Sequence, residues 1–528
     1  MTNHAYESAA SLRPQHNAPT SLEVLAQRLG ATPAADQDAA ALAGLEVSGA
    51  SVDSADVAPG EVFVAVPGFT AHGARFCGQA VDSGAVAVLT DPDGVSLARQ
   101  TAHGTPVLTC PDPRALAGPL AAGIYHHPAR QLVTTAVTGT NGKTTTTYFL
   151  DAVLTAHLGS TMLAGTVELR VGGSRVESPR TTVEAPVLQR MLALAAEQGV
   201  GAACLEASSH AVVLHRLEGT VLDVVGFTNL QRDHLDFHGT MEGYLEAKSR
   251  LFTPEHAHHG VVCVDDEWGR QLAASAAVPV ERLRTYPGDA QAEWWVSDAV
   301  VSLTQAATTF VLHGPDGQEL PASCPLPGAV NVQNAALALV MALRAGVPAQ
   351  TAVEALASAH AVPGRMQRIS QRDGTRGLCI VDFAHTPDAL ELALQAVRPI
   401  TPGRLIVVFG SDGDRDQGKR PMLGAVAARL ADVLVVTDEN PRSEDPQSIR
   451  DAVLEGVRSV RPDLHDVEEV TTWRGDAVRR GVELCGPQDT VIVTGKGHEP
   501  FLEAGGEFIR YNDAPVMAQA VDQKWPQA

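Results

Sequence analysis

Short runs of aliphatic and β-branched residues recur along the chain, and each breaks into small or polar residues. They include "GEVFVAVPG" (60–68), "GAVAVLTDPDG" (84–94), "LVTTAVTGTNGKT" (132–144), "GVGAACLEASSH" (199–210), "LDVVGFTNLQRDH" (222–234) and "GVVCVDD" (260–266). Four more follow: "GLCIVDFAHTPDAL" (377–390), "RLIVVFGSDGDRD" (404–416), "DVLVVTDENPR" (432–442) and "DTVIVTGKGHE" (489–499). Ala/Leu-rich segments of helical spacing lie between them. Apolar strands alternating with helices predict an α/β protein built on parallel sheets. In such sheets ligands bind beyond the carboxyl ends of the strands, so the polar residues after each run are the site candidates.

The runs fall into three groups, and 528 residues are enough for about three domains. The reading divides the chain into a disordered lead-in (1–20) and domains at 21–128, 129–360 and 361–528. Charge narrows the function: 39 basic against 61 acidic residues leave a net −22, which argues against a general nucleic-acid binder. Anionic ligands remain open to it, because helix N-termini bind them even in an acidic protein. The seven cysteines are scattered without a CxxC and read as buried thiols in a reducing compartment. No apolar run reaches the ~18 residues of a membrane span, and the first twenty residues contain no secretory apolar core. The expectation is a cytoplasmic protein with no membrane insertion.

The most informative break is "TGTNGKTTT". It is a shortened phosphate loop, Gly139-Thr140-Asn141-Gly142-Lys143-Thr144-Thr145, with Val137 at the first glycine position of the longer pattern. Glycines let backbone N–H groups approach phosphate oxygens, and the following helix offers its positive end. Lys143 is suited to the β- and γ-phosphates and the Thr144 hydroxyl to Mg²⁺. The loop predicts nucleotide binding; alone it does not choose between motor, switch and ligase.

Glu206 ends a strand, where a carboxylate suits a hard cation and equally a salt bridge. His234 and His238 are spaced i, i+4, but HExxH and a clear third ligand are missing, so zinc is not favoured. "MEGYLEAKSRLF" reads as an amphipathic helix with Thr240 as N-cap and Leu245, Leu251 and Phe252 facing the core. By pattern alone Lys248 belongs to its solvated face. "PEHAHHG" (254–260) reads as a surface loop.

Taken in order, "TGTNGKTTT", "EASSHAV", "FTNLQRDHLDFHGTMEGYLEAKSRLF", "GAVNVQNAALAL", "VPGRMQRI", "VDFAHTPDAL", "GSDGDRDQGKRP", "TDENPRSEDP" and "TGKGHE" resemble the Mur ligases of peptidoglycan synthesis. The likeness spans roughly residues 45 to 515 and is greatest to the MurE branch, which adds the third amino acid to the UDP-MurNAc-dipeptide. It implies a three-domain fold with a central P-loop ATPase-like parallel sheet and a Rossmann-like C-terminal domain. It also implies a monomer using ATP and Mg²⁺. The D-Glu carboxylate of UDP-MurNAc-L-Ala-D-Glu takes the γ-phosphoryl group of ATP, and the amine of a diamino acid displaces phosphate from the acyl phosphate.

The resemblance also assigns residues. Lys143, Lys248 and His234 become catalytic, with Lys248 carbamylated and joined by Thr144, Glu206 and His234 around Mg²⁺. Asn331, Arg365 and Asp382 join the phosphate loop on ATP, the latter two once the third domain closes. Ser54, Thr181, Thr182, Ser209 and Arg232 fall to the UDP-dipeptide, although Asp53-Ser54-Ala55 stands where the family has Asp-Ser-Arg, and Val183 follows the threonine pair in place of Pro or Gly.

Arg415, Glu439, Asn440, Pro441, Arg442, Gly495 and Glu499 fall to the incoming amino acid. Diaminopimelate has a distal carboxylate that suits an Arg. Arg442 therefore favours meso-2,6-diaminopimelate over L-lysine or L-ornithine, with Glu439 lengthening the Asp of the family's Asp-Asn-Pro-Arg. Glu499 is expected to pair with the distal amine. The plain alternative for Arg442 is a loop arginine paired with Glu444 or Asp445. Folylpolyglutamate synthase and a non-catalytic P-loop switch are the rival readings. "VDFAHTPDAL", "ENPR" and "GKGHE" weigh against the first, and Lys248 with the acceptor motifs against the second.

Overall fold

The computed structural model describes residues 9–34, 42–102, 104–302 and 307–526. Contacts group the chain into two compact units. One comprises Met1–Trp295, His313–Gln318 and Asn334–Ala355; the other comprises Val296–Leu312, Glu319–Gln333 and Leu356–Ala528. Residues 296–312 and 319–333, which the sequence reading gave to the central domain, thus group with the C-terminal part.

The first unit carries two larger sheets and a small antiparallel pair, Thr20–Ser21 with Glu46–Val47. The five-stranded one runs in the order Thr32–Pro33, Val107–Thr109, Ala87–Thr90, Glu61–Ala65, Gly49–Ser51, parallel except for its first strand. In the other, Val133–Thr138 lies between Ala202–Glu206 and Leu222–Phe227, all parallel. Ala257–Cys263 and Val280–Arg284 extend it in parallel on one side. Thr161–Ala164 and the hairpin Glu168–Val171/Ser174–Glu177 extend it on the other. The inner strands are buried along almost their whole length, which explains why they do not alternate inward apolar with outward charged residues.

Two expectations are corrected here. "PEHAHHG" is not a surface loop throughout, because Ala257 to Gly260 open the strand that pairs with Leu222–Phe227. The expected disordered lead-in also fails where it can be judged. Residues 1–8 lie outside the described residues, but Leu12 is buried in the central core. Arg13 pairs with Asp56 and Glu61, and Asn17 donates to the Ser48 and Ile124 carbonyls at 2.9 and 3.3 Å.

The second unit holds a six-stranded sheet ordered Gln367–Ser370, Leu378–Val381, Thr490–Val493, Leu405–Phe409, Val433–Val436, Val467–Glu469; only the first pair is antiparallel. Beside it Arg474 and Asp513 form a fully buried two-pronged ion pair, at 2.9 and 2.8 Å. Tyr511 completes it by donating to Asp513 at 2.8 Å. Among the described residues no helix is long and apolar enough to cross a membrane.

Candidate active site

The strand Val133–Thr138 runs straight into the phosphate loop, and the helix Lys143–Leu158 leaves it. Two glycines make the turn. Gly139 (φ +145°) and Gly142 (φ +88°) occupy backbone conformations that side chains disfavour, and a Cβ on Gly139 would collide with Thr228 Oγ1. No side chain caps the helix at Gly142, so its first N–H groups suit an anion.

The segment after Leu222–Phe227 braces the loop. Asn141 N donates to Asn229 Oδ1 (3.1 Å), Thr140 N to the Asn229 carbonyl (2.9 Å) and Thr228 Oγ1 to the Asn141 carbonyl (2.7 Å). Asn141 Nδ2 donates to Gln231 Oε1 at 2.6 Å. Lys143 Nζ lies over the loop, 3.1 and 2.8 Å from the Gly139 and Thr140 carbonyls. Thr145 is buried. Asn334 packs against this loop, its Oδ1 accepting from Thr146 Oγ1 at 3.4 Å and lying where a Gly142 side chain would begin. Asn331, chosen from the sequence, donates to the Pro327 carbonyl at 2.8 Å.

Glu206 ends the neighbouring strand and is buried. Its Oε2 accepts from Thr144 Oγ1 and Thr166 Oγ1, both at 2.9 Å, and its Oε1 from Thr166 N at 2.8 Å. The salt-bridge alternative therefore gives way to a hydroxyl-bonded carboxylate. Thr166, which no motif marked, also has its Oγ1 3.2 Å from Thr181 Oγ1, whose hydroxyl it accepts from while its own proton goes to Glu206. Thr182 Oγ1 donates to the Glu206 carbonyl at 2.7 Å and accepts from Ser208 N at 3.1 Å. Arg216 Nη1 donates to the Thr182 carbonyl at 3.3 Å, and its Nη2 lies 3.1 Å from Glu184. Ser208 and Arg216 thus stand beside the threonine pair, while Ser209 Oγ sits 2.9 Å from His238 Nε2 and Arg232 is exposed. In the turn after the strand Gly49–Ser51, Ser54 Oγ donates to Gln79 Oε1 at 3.1 Å.

The helix Met241–Ser249 has Thr240 as N-cap, its side chain accepting from Gly243 N, and Leu251 and Phe252 are buried in the turn that follows. Lys248 is not on a solvated face. It is 1% exposed, its Nζ donates to the Gly139 carbonyl at 2.8 Å and lies 4.5 Å from the centre of the Tyr244 ring. Burial, reinforced by Lys143, pushes its amine well below the usual lysine range. His238 stacks on Tyr244 at 4.8 Å, and burial with His210 nearby holds it down to about 4. His234 is half exposed, 3.4 Å from Asp233, and its ring lies 4.8 Å from His210.

The donors fit a magnesium ion of the kind that phosphate loops use. Thr144 and Glu206 offer a hydroxyl and a carboxylate in contact, and Mg²⁺ commonly takes one or two protein oxygens, completing its shell with phosphate and water. Among the described residues no group of three or more His, Cys, Asp or Glu forms a fuller cage.

The second unit gathers its polar residues at the carboxyl ends of its central strands. Asp382 accepts from Met366 N (2.7 Å) and Ala384 N (2.9 Å), burial raising its carboxyl. Arg365 lies 4.2 Å from the centre of the Phe383 ring. Glu439 is 2% exposed, with Oε2 buried and unpartnered. Burial and the charge of Asp412 push it up to about 8. A Cβ on Gly495 would sit 2.7 Å from that oxygen. Asn440 accepts from Lys496 Nζ at 2.8 Å and donates to Glu499 Oε2 at 3.1 Å. Pro441 is buried and its carbonyl accepts from Glu444 N at 3.1 Å.

Arg442 does not make the local pair with Glu444 that was its plain alternative. Its partners are Glu503 (3.1 Å), the Gly413 carbonyl (3.0 Å) and Asp412 (3.6 Å), whereas Glu444 is taken by Arg420 at 2.7 Å. Glu499 accepts from Lys496 Nζ at 2.9 Å. Arg415 is exposed, its Nη1 3.5 Å from the Asp414 carbonyl.

A P-loop beside a buried carboxylate and a buried lysine, with a Rossmann-like second unit, defines a nucleotide-dependent ligase architecture. Three family models match in chain order: "Mur ligase family, catalytic domain" (46–124), "Mur ligase middle domain" (137–342) and "Mur ligase, glutamate ligase domain" (364–497). The chain is 43% identical over 512 residues to a UDP-N-acetylmuramoyl-L-alanyl-D-glutamate--2,6-diaminopimelate ligase of Streptomyces avermitilis, covering 97% of this chain and 98% of that one. It is also 43% identical over 511 residues to a UDP-N-acetylmuramyl-tripeptide synthetase of Leifsonia xyli subsp. xyli, covering 95% and 96%. A solved UDP-N-acetylmuramoyl-L-alanyl-D-glutamate--2,6-diaminopimelate ligase aligns with a TM-score of 0.67 at 30% identity, over 97% of this chain and 100% of that one. The chain belongs to the Mur ligase family, whose members are ATP-dependent, ADP-forming ligases.

Proposed function

We propose that this protein joins meso-2,6-diaminopimelate to UDP-MurNAc-L-Ala-D-Glu with ATP cleavage, working as a monomer in the cytoplasm. The observation that carries the reading is the meeting of phosphate loop, Glu206 and buried Lys248 in a chain matched end to end by named diaminopimelate ligases.

Lys143 and the helix N-terminus at Gly142 hold the nucleotide phosphates and offset charge as the γ-phosphoryl group moves to the D-Glu carboxylate. Thr144 and Glu206 would hold Mg²⁺, which supplies charge neutralisation on the phosphate oxygens. Lys248, whose amine burial holds well below the usual lysine range, takes up CO₂ through its free amine to give a carbamate and a proton, which makes it an anionic oxygen donor; His234 is its proposed neighbour in that role. Thr181, Thr182, Ser208, Ser209, Arg216 and Arg232 hold the dipeptide, with Arg216 the cation beside the threonine pair, and Ser54 serves the uridine end. Asn331, Arg365 and Asp382 keep their ATP-side assignment on resemblance alone. The acceptor amine then displaces phosphate from the acyl phosphate, forming the amide.

One observation favours a second reading with L-lysine or L-ornithine: Arg442 already has carboxylate partners of its own. ADP release with UDP-MurNAc-L-Ala-D-Glu and each of the three amino acids tests the choice. Turnover with diaminopimelate alone is expected, and turnover with lysine or ornithine alone would move the assignment to them. Phosphate release independent of any acceptor would return the protein to the switch class.

A further inference from the structure

The acceptor motif carries charge that its sequence does not explain. Arg442 Nη2 lies 3.6 Å from Asp412 Oδ2, while the other oxygen of Asp412, Oδ1, is buried without a hydrogen-bond partner. Glu499, the expected partner of the distal amine, is bonded to Lys496 and Asn440. Asp412 and Arg442 follow the carboxyl ends of adjacent strands, Leu405–Phe409 and Val433–Val436, and their loops are joined where Gly413 N donates to the Asn440 carbonyl at 2.8 Å.

A carboxylate and a guanidinium at this spacing complement a ligand end that bears an ammonium and a carboxylate on one carbon. Diaminopimelate ends that way; lysine and ornithine end in an ammonium alone. We propose that Asp412 is a specificity-determining residue whose carboxylate receives the distal ammonium of the acceptor while Arg442 receives the distal carboxylate. The proposal rests on the diaminopimelate reading above. On binding, one internal ion pair is exchanged for two with the ligand, so neither protein charge is left unpaired. The buried, unpartnered hydroxyls of Ser411 and Thr437 stand at the same strand ends. Glu439, holding its proton to about 8, does not compete as an anion at neutral pH.

The test compares wild type, Asp412→Asn and Asp412→Glu with meso-diaminopimelate and with 2-aminopimelate, which lacks the distal amine. Asp412→Asn is expected to raise KM for diaminopimelate about 10- to 100-fold, the range of a charged hydrogen bond, with kcat changed little. KM for 2-aminopimelate should stay where it is, and Asp412→Glu should recover part of the loss. Equal KM increases for both acceptors would overturn the proposal and leave Asp412 as a support for Arg442. An unchanged KM for diaminopimelate would overturn it outright. Wild-type turnover of lysine without diaminopimelate would overturn this proposal together with the reading beneath it, whereas the first two results leave that reading intact.

Discussion

The phosphate loop and the proposed acceptor loop both follow parallel strands, yet they are organised differently. The phosphate loop is shaped by its backbone: two glycines at positive φ, an uncapped helix N-terminus, and neutral amides and hydroxyls bracing the turn. At the acceptor loop, charged side chains pair with one another, Arg442 with Asp412 and Glu503, Lys496 with Glu499. Backbone recognition suits a ligand that never changes. Side-chain charge can be rearranged by single substitutions, so it suits the part of a family where the substrate varies.

That contrast predicts a graded series of effects. The largest should come from Lys143→Met, which removes the one cation of the loop while leaving its backbone in place. We expect kcat to fall about 10³-fold, with little change in the KM of the amino acid. A comparable rise in that KM would show that the two loops are not independent. Next, Lys248→Ala should lower kcat about 10²-fold, and added formate should restore part of the activity because it returns an anionic oxygen to the space. Formate should do nothing for Lys143→Met. A Lys248→Ala enzyme at full activity would remove the carbamate from the account.

Glu439 offers a test on the acceptor side that needs no substrate. Its folded pKa, about 8, lies above the ordinary 4.5 of a glutamate. Between those values the folded protein keeps a proton that the unfolded chain releases, so stability falls as pH rises through this window and levels off above it. The limiting slope is about 1.4 kcal/mol per pH unit. Glu439→Gln should cancel that slope: melting curves of the two proteins should approach one another near pH 4.5 and diverge towards pH 8. Parallel curves would mean that Glu439 is ionised throughout. The smallest effect is expected of Thr166→Val, about a tenfold loss of kcat, since Glu206 Oε2 would keep Thr144 while losing one donor. No loss would show that Thr166 is a bystander to the carboxylate.

Sequence alone went far at the phosphate loop and less far at the acceptor loop, for a physical reason. Glycine, lysine and threonine at fixed spacing form a local device, so Gly139 to Thr145 could be read from a single stretch. Lys248 could not, because its burial comes from packing against Tyr244 and the Gly139 carbonyl, about a hundred residues away in the chain. Asn334 illustrates the same limit: the motif pointed to Asn331, whereas the residue that packs against the loop stands three positions further on. Arg442 was found by its motif, but the local partner offered as its plain alternative is not the one it has. Glu444 is two residues away, whereas Glu503 is brought by the hairpin Phe501–Ala504/Glu507–Arg510, which no apolar pattern announced. Thr166 and Arg216 carried no signal at all, since a threonine after a strand and an arginine after a short helix are commonplace.

The segment from Ala9 to Asn17 has a practical bearing. Arg13 reaches Asp56, and the same Asp56 accepts from the buried Arg190 at 2.9 Å, whose other nitrogen donates to the Ala9 carbonyl at 2.8 Å. The stretch therefore acts as a clasp fastened to a helix of the central sheet and to the edge of the first. Anyone trimming the gene for expression, guided by the polar look of its opening codons, would cut the clasp and leave Arg190 sealed in the interior with one acceptor fewer.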